Sequence, residues 1–519
     1  MNEEITPLNS GVGGHPKDRP SYFLSAMVLY LLIVYVYGFW LHPLGRDYIL
    51  MSGDVAGLPV WSMLLIRIQT TIFGNLYPGY FLFNLVVLYG CMVCIFYLTR
   101  FVLGGPWWLG SLSAVLTMAH PLKSESVLQA TGALDLIPAF FVLLTLTLFT
   151  AAKYHRTYRW IWGAVASFII TVFLTPVCLP LLGVLLLFWW LNYTERTVPV
   201  HRWLAVFLLL FLFSFAWWYE SWLSWTVSPG QRFGSLILIL YPIGLLPETA
   251  ALFLENPIFG WLSALITIGF ILAILLRTQC RELNLTLLAV LVFRLAPLDR
   301  SVDWVHMVGG GNLFLSIALA AVAFSALCYR IMQHHKWRRP VVFLTTLLCV
   351  VFFVLQIQTI HHWRVAGVWV RSLQHAISDR TKEEAISSSY LMFPDLQYYR
   401  KAPYQPAKAL QYDTPFSSAS PITAILPLHA ATFSPIEYRV DTSESGKLRL
   451  ELYLDAPLSH YLPQVYALES YVLQSTQDYP VSITQYTEGL YEIIIREDER
   501  NFPDTRITLP QEWQDELEF

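Results

Sequence analysis

Charge is what this sequence has least of. Of its 519 residues only 13% are charged, while 55% are hydrophobic; soluble domains carry about a quarter charged. With a mean hydropathy of +0.50, that balance argues against a soluble chain and fits a polytopic membrane protein. Cysteine is scarce as well: Cys91, Cys94, Cys178, Cys280, Cys328 and Cys349 all fall in apolar segments or near their inner ends. The outer region therefore has no disulfide framework. Cys91 and Cys94 have the spacing of a redox or metal pair, but inside an apolar helix they read as packing. The chain lacks a glycine-rich nucleotide loop, a zinc pattern, a nucleophile elbow and any repeat of 20 to 50 residues. No nucleic-acid partner is expected. The first twenty residues are polar and lack a small-residue cleavage pattern, so the apolar run after them is expected to stay as an anchor.

What the sequence has is apolar runs. Eleven stand out, at about 22–41, 79–99, 106–120, 134–152, 160–176, 177–192, 203–219, 257–276, 283–297, 310–329 and 340–360, several near the ~20 residues a spanning helix needs. With the N-terminus in the cytoplasm, fourteen Lys and Arg fall on inner segments and six on outer ones up to residue 360, the bias that orients membrane proteins. Residues 1–360 carry 20 Lys and Arg against 14 Asp and Glu, and 361–519 carry 13 against 22. An acidic, polar tail thus follows a mildly basic membrane part and is expected outside. The pattern predicts a cytoplasmic tail over 1–21, a transmembrane domain over 22–360, a juxtamembrane helix and irregular linker over 361–430, and an extracytoplasmic domain over 431–519.

The carboxylates collect outside. Nine precede the tail on outer segments: Asp47, Asp54, Glu125, Asp135, Glu220, Glu248, Glu255, Asp299 and Asp303. A charge at membrane depth costs a few kcal/mol unless it is paired or hydrated, so Glu125 and Asp135 are expected to line a wet cavity or cap helix ends. In the first outer loop, Trp61, Leu64, Leu65, Ile68 and Ile72 recur at near-helical spacing beside Arg67 and Gln69, as in an amphipathic helix on a membrane surface. The stretch 220–256 is too interrupted by proline for a clear span. The loop "PLDRSVDWVHMVGGGN" adds Asp299, Arg300, Asp303 and His306. These outer segments can converge on one external cavity.

Several of these stretches resemble one family. "HPLKSESVLQATGALDLIPAFFVLLTLTLF" resembles "HPxHxESVAWxxGRKDLLxxxFFLLxLxLY" of the GT-C glycosyltransferases that often bear tetratricopeptide repeats, the O-mannosyltransferase-like members included. "YPGYFLFNLVVLYGCMVCIFYLTRFV" is similar to that family's "xxGYHLxNLLLHxxNxxLVYxLxRxL", "NLFLSIALAAVAF" to "RYLYLPSIGFxLL", and "QTIHHWRVAGVWVRSLQHAISD" to "RNxxWRxxxxLWRxALxxxP". The matches keep the family's order over most of residues 40–380. The resemblance implies a polytopic transferase that uses a polyprenyl-phosphate-linked sugar, with an acidic residue of the first outer loop as base or metal ligand. Asp47 falls where the family has an acidic pair, with Asp54 nearby and Glu125 retained. Lys123, Asp135, Arg232, Arg300 and His306 are the candidate substrate-binding residues, with Lys123, Arg232 and Arg300 the candidates for the donor phosphate. A divalent metal is left open.

The departures concern polar positions. The family's "GYHLxN" histidine is Phe81 here, and the later histidine of that helix is Leu88. "HxES" carries Lys123 for histidine, and "GRKD" reads Gly132, Ala133, Leu134, Asp135. Asp47 can equally be a loop or helix-capping carboxylate, Glu125 a helix-start acid, and Lys123, Arg232 and Arg300 lipid headgroup contacts.

In the tail, "IEYRV", "KLRLELYLD", "QVYALESYVLQ", "VSITQY", "LYEIIIRED" and "TRITLP" alternate in polarity between turn signals, which predicts a small antiparallel β domain. The fold class expected is mainly α, about eleven transmembrane helices in a GT-C-like arrangement, with that C-terminal β domain. Two functions follow. One is a glycosyltransferase transferring a sugar from a polyprenyl-phosphate donor to an extracytoplasmic acceptor. The other is a weakened scaffold that assembles a membrane complex, with protein partners held through the β domain. Membrane lipids are partners in both, and a bacterial inner membrane is the expected location.

Overall fold

The computed structural model describes residues 20–41, 44, 47, 59–74, 76–104, 106–155, 157–191, 200–218, scattered positions from 262 to 274, 281–293, 313–383 and strand residues within 389–496. The chain divides into two compact units, Met1–Leu41 with Val55–Arg364 and His42–Asp54 with Val365–Phe519.

The first unit is helical. Its described helices are α1 (Pro20–Tyr35), α2 (Val60–Phe73), α3 (Tyr77–Leu103), α4 (Trp107–Ala119), a short α5 (Ser124–Leu128), α6 (Ala133–His155), α7 (Tyr158–Leu174), α8 (Cys178–Leu191), α9 (Val200–Trp217), α10 (Arg281–Phe293) and α11 (Phe314–Met332). A last helix, α12, runs unbroken over Arg338–Glu383, and its part up to Arg364 belongs to this unit. Pro78 starts α3, where its missing N–H costs nothing. Gly104 ends α3 at φ 60°, its N–H returning to the Arg100 carbonyl at 2.9 Å, the left-handed stop that glycine allows.

Five stretches are long and apolar enough to cross a membrane: Pro20–Trp40, Tyr77–Leu103, Ala130–Ala152, Phe314–Met332 and Arg338–Val368. That is the architecture of an integral membrane protein. The expected segments at 106–120, 160–176, 177–192, 203–219 and 283–297 are apolar helices too, but shorter. The segment at 257–276 is described only at scattered positions.

In this unit α3 packs on α4 and α6, α6 on α7, α11 on α4 and α10, and α8 on α9 and α10. One core joins Val142, Leu146, Phe168, Val172, Leu181, Leu185 and Val290. In lipid such burial gains van der Waals contact rather than release from water, and hydroxyls serve as glue between helices. Ser113 of α4 donates to Ser325 of α11 at 2.8 Å, and Thr145 of α6 to Ser167 of α7 at 3.0 Å. Thr99, Thr117 and Thr171 each return a hydroxyl to the carbonyl four residues back, which satisfies them without water.

The amphipathic helix expected after the first outer turns is α2. It exposes Val60, Leu64, Ile68 and Ile72 and buries Ser62, Ile66 and Gln69. The outward apolar stripe fits a helix lying in the membrane surface, where lipid takes the place of a protein neighbour.

In the second unit, β5 (Glu437–Asp441), β6 (Lys447–Tyr453), β7 (Val481–Thr487) and β8 (Leu490–Arg496) form an antiparallel sheet in the order β5-β6-β8-β7. Val440 pairs with Leu450, Leu450 with Ile493, and Ile493 with Ile483. Before that sheet, β1 (Ser389–Pro394) pairs in parallel with β4 (Ile422–Leu428), and the two-residue strands β2 (Tyr398–Tyr399) and β3 (Ala402–Pro403) pair antiparallel. The pattern predicts irregular chain there. The short apolar runs "YLMF" and "ITAIL" are what allow pairing across the polar stretch between them. The expected strands near 464–474 and 505–510 lie outside the described residues.

Candidate functional site

The turn between α4 and α6 is built from small pieces. His120 leads into a 3-10 turn at Pro121–Lys123, then α5, then a second 3-10 turn at Ala130–Gly132. Every residue from His120 to Ala133 is buried. Helical pieces this short cannot use their own carbonyls, which must find donors elsewhere. The side chain amide of Asn84, on α3, donates to the Val127 and Gln129 carbonyls at 3.2 and 2.5 Å. The Tyr77 hydroxyl donates to the Leu128 carbonyl at 3.0 Å. Gly132 lies so close to the chain that a methyl group there would overlap the Ser126 carbonyl. The glycine of the motif is thus required by close approach of backbone to backbone.

This clamped turn brings three of the candidate residues together. Lys123 is fully buried; its ammonium donates to the Tyr35 hydroxyl and lies 4.8 Å from the centre of that ring. Burial pushes the lysine pKa well below its ordinary value, because desolvation penalises the charged form. Glu125 is buried in the first turn of α5. Asp135 is half-buried in the first turn of α6 and accepts from the Ser126 hydroxyl at 3.2 Å. Both acids therefore occupy helix starts, where a negative charge is favoured. The helix-start reading accounts for their placement without excluding a second role.

Ser124 carries the turn across to α12. Its hydroxyl donates to the Pro121 carbonyl and lies 3.1 Å from the side chain amide of Gln356. His120 accepts from the Leu122 N–H at 3.4 Å and packs edge to face on Phe352, centroids 4.9 Å apart.

Asp47 belongs to the second unit. It is buried, its carboxylate accepts from the Leu44 N–H at 3.2 Å, and its own N–H donates to the Leu44 carbonyl at 3.2 Å. One carboxylate oxygen thus closes a local loop, as the capping alternative expects. Asp54, Arg232, Arg300 and His306 lie outside the described residues. Among the described residues no three His, Cys, Asp or Glu converge on a common point.

Two of the positions that depart from the motif are packed as apolar core. Phe81 and Leu88 are fully buried. The Phe81 ring meets Phe39 edge to face at 5.2 Å and Tyr35 at 6.3 Å, and it presses on Gly38, where a methyl group would overlap the ring.

Asn84, Tyr35 and Gln356 are site residues that sequence reasoning passes over. Asn84 and Gln356 carried a signal all the same: each is an amide within an apolar span, where a polar group is expensive unless it has work to do. Tyr35 carried none, since tyrosine is common at membrane edges.

No family model and no curated protein matches the sequence. Among solved structures, the chain is similar to ArnT from Cupriavidus metallidurans bound to undecaprenyl phosphate, at 12% identity and a TM-score of 0.42, over 92% of this chain and 98% of that one. It is also similar to the apo state of the same protein, at 14% identity and a TM-score of 0.40, over 92% and 97%. Likeness at this level transfers neither a mechanism nor a site residue.

Proposed function

We propose that the chain is a membrane glycosyltransferase of GT-C type that moves a sugar from a polyprenyl-phosphate donor to an extracytoplasmic acceptor. The observation that carries this reading is the clamped turn at 120–135. Lys123, Glu125 and Asp135 are kept there among apolar helices, at positions that resemble the family's polar motifs, with Asn84 and Gly132 holding the turn in place. In the reaction an acceptor hydroxyl attacks the anomeric carbon and the bond from that carbon to the phosphate oxygen breaks. The hydroxyl proton is proposed to pass to Asp47 as general base; Asp54 and Glu125 are the other carboxylates put forward for catalysis. Lys123, Asp135, Arg232, Arg300 and His306 are put forward as substrate-binding residues, and a cation among Lys123, Arg232 and Arg300 would stabilise the charge that stays on the departing polyprenyl phosphate. Asp47→Asn is expected to lower transfer by ~10²-fold or more without loss of folded protein, the scale of removing a general base; Asp54→Asn should cost less. Equal transfer by wild type and Asp47→Asn would remove Asp47 from the mechanism.

The membrane part is proposed to hold eleven spans, with residues 1–21 in the cytoplasm and an antiparallel β domain over 431–519 on the outer side. A reporter fused to the C-terminus and active only in the cytoplasm should stay silent. A strong signal would invert the topology.

One observation favours the second reading, a scaffold subunit. Phe81 and Leu88 fill with apolar packing the positions where the family carries histidine. A scaffold predicts stoichiometric partners after gentle purification, lost when the chain is truncated before Ser389. A transferase predicts a protein purified alone whose donor binding survives that truncation.

A further inference from the structure

We propose that the turn joining α6 to α7 binds the phosphate of an anionic phospholipid through Arg159, Trp160 and Thr157. Helix α6 has 23 residues, about 33 Å at 1.5 Å per residue, and Ala130–Ala152 is long and apolar enough to cross a membrane. The turn at 120–135 lies at the other end of that helix. The lipid site therefore faces the opposite membrane surface from the proposed transfer site, and it stands or falls without the transferase reading.

Charge points to the ligand first. Residues 55–124 and 136–194 hold no Asp or Glu. The ends of α3 and α6 and the start of α7 nonetheless bring Arg100, Lys153, Arg156 and Arg159. A cluster of about four to eight such cations beside a spanning helix attracts anionic headgroups. Rings join the cations into one band. Arg100 lies 5.0 Å from the centre of the Trp107 ring, and Arg159 lies 5.7 Å from that of Trp160. Between them Trp107 meets Tyr97 at 6.2 Å, Tyr97 meets Phe101 at 5.9 Å, Phe101 meets His155 at 5.5 Å, and His155 stacks on Trp160 at 5.9 Å. An aromatic band of this kind sits at the level of lipid headgroups.

The band alone describes an interface; two unused donors make it a site. The Trp160 indole N–H and the Thr157 hydroxyl are buried without a partner. Thr157 is the N-cap residue of α7, where threonine ordinarily caps, yet its side chain makes no cap bond. The first N–H groups of a helix have no partner within it, and they add partial positive charge at the same point. Buried donors left unused call for an acceptor. With a guanidinium beside them and no carboxylate on α3, α4 or α7, the group that fits is an anion with several oxygens. Tyr154, His155, Tyr158 and Arg159 are exposed, so the turn opens outward, and a phosphate that draws the flexible Arg159 aside reaches the donors next to it. A phospholipid presents its phosphate at this depth already.

The test counts phospholipid bound to the full chain by native mass spectrometry, with phosphatidylglycerol and phosphatidylcholine in competition, beside thermal unfolding of the same samples. Wild type is expected to prefer phosphatidylglycerol by ~10-fold or more, the scale of a hydrogen bond to a charged group. Trp160→Phe keeps the ring and removes the N–H, and Thr157→Val keeps the shape and removes the hydroxyl. Each of these, and Arg159→Gln, should lower the preference ~5-fold or more. Should Trp160→Phe melt early, Arg159→Gln carries the test, because its side chain is exposed. Trp162→Phe, also exposed on α7, should prefer phosphatidylglycerol as wild type does. Absence of preference in wild type would overturn the site, as would an unchanged preference in both Arg159→Gln and Trp160→Phe. An equal loss in Trp162→Phe would reduce it to a general interfacial band. Millimolar inorganic phosphate that raised the melting temperature in phosphatidylcholine as far as phosphatidylglycerol does would overturn the lipid assignment in favour of a soluble anion.

Discussion

The turn at 120–135 and the face of α3 around Phe81 carry parts of the same family resemblance, yet their interiors are opposite. The turn retains Glu125 and Asp135, carries Lys123 in place of histidine, and is held by a buried asparagine, a tyrosine and a close-approach glycine. At Phe81 and Leu88 the polar side chains are gone and aromatic packing has closed over the space. An unused polar group in an apolar interior is costly, and it is readily replaced by packing. At the turn the replacement is partial: Ala133 and Leu134 stand where the motif has cations, while Lys123, Glu125 and Asp135 are charged residues. The two places differ in what holds them: the turn is held by hydrogen bonds from side chains to buried carbonyls, the face of α3 by aromatic packing.

Breaking the apolar side should have the largest effect. Phe81→Ala leaves a cavity between Gly38, Phe39 and Tyr35, and is expected to cost on the order of 3 kcal/mol, read as a large drop in thermal stability in detergent. A Phe81→His variant that kept full stability and gained activity would contradict the claim that this face is now core. Next in size is Asn84→Leu, which strips two buried carbonyls of their donor and should cost ~1–3 kcal/mol. Because Asn84 holds the turn, its loss should also lower donor affinity, which equilibrium binding would detect. An effect on stability with no effect on binding would reduce Asn84 to a packing role.

Gly132→Ala should cost ~1–3 kcal/mol through overlap with the Ser126 carbonyl. It sharpens the comparison, because Gly90→Ala on α3 meets only the side chain of Phe140, which can move aside, and should cost less. The smallest effect is expected at α2. Leu64→Ser on its exposed stripe should leave the fold within ~0.5 kcal/mol while weakening insertion of that helix into the bilayer surface, measured by quenching of a nearby Trp61 by lipid-borne quenchers. Identical quenching in both proteins would show that the stripe does not face lipid.

How much of this the sequence discloses depends on what each residue does. Long apolar runs announce α1, α3, α6, α11 and the start of α12 directly, because nothing else explains them. Helices α4, α7, α8, α9 and α10 are legible as apolar segments but come out shorter than a span, since length is lost at Pro106, Thr175 and similar stops. Of the site, the charged members of the turn are visible because they interrupt an apolar pattern. Their support is not, because Asn84 donates across 43 residues of sequence to Val127 and Gln356 meets Ser124 across 232. No local spacing encodes such pairs. For Asp47 the sequence offers a loop or capping alternative but not its partner, because the bond from Leu44 depends on backbone geometry.

The central claim is that the retained turn serves transfer of a sugar from a lipid phosphate. The most direct measurement is the amount of free polyprenyl phosphate released when the wild-type chain, alone in proteoliposomes, is given polyprenyl-phosphate-linked sugars and a mixture of extracytoplasmic acceptors. The account predicts many molecules released per chain, with matching appearance of sugar on acceptor. No release with any donor, from a protein that is folded and remains bound to stoichiometric protein partners, would contradict it.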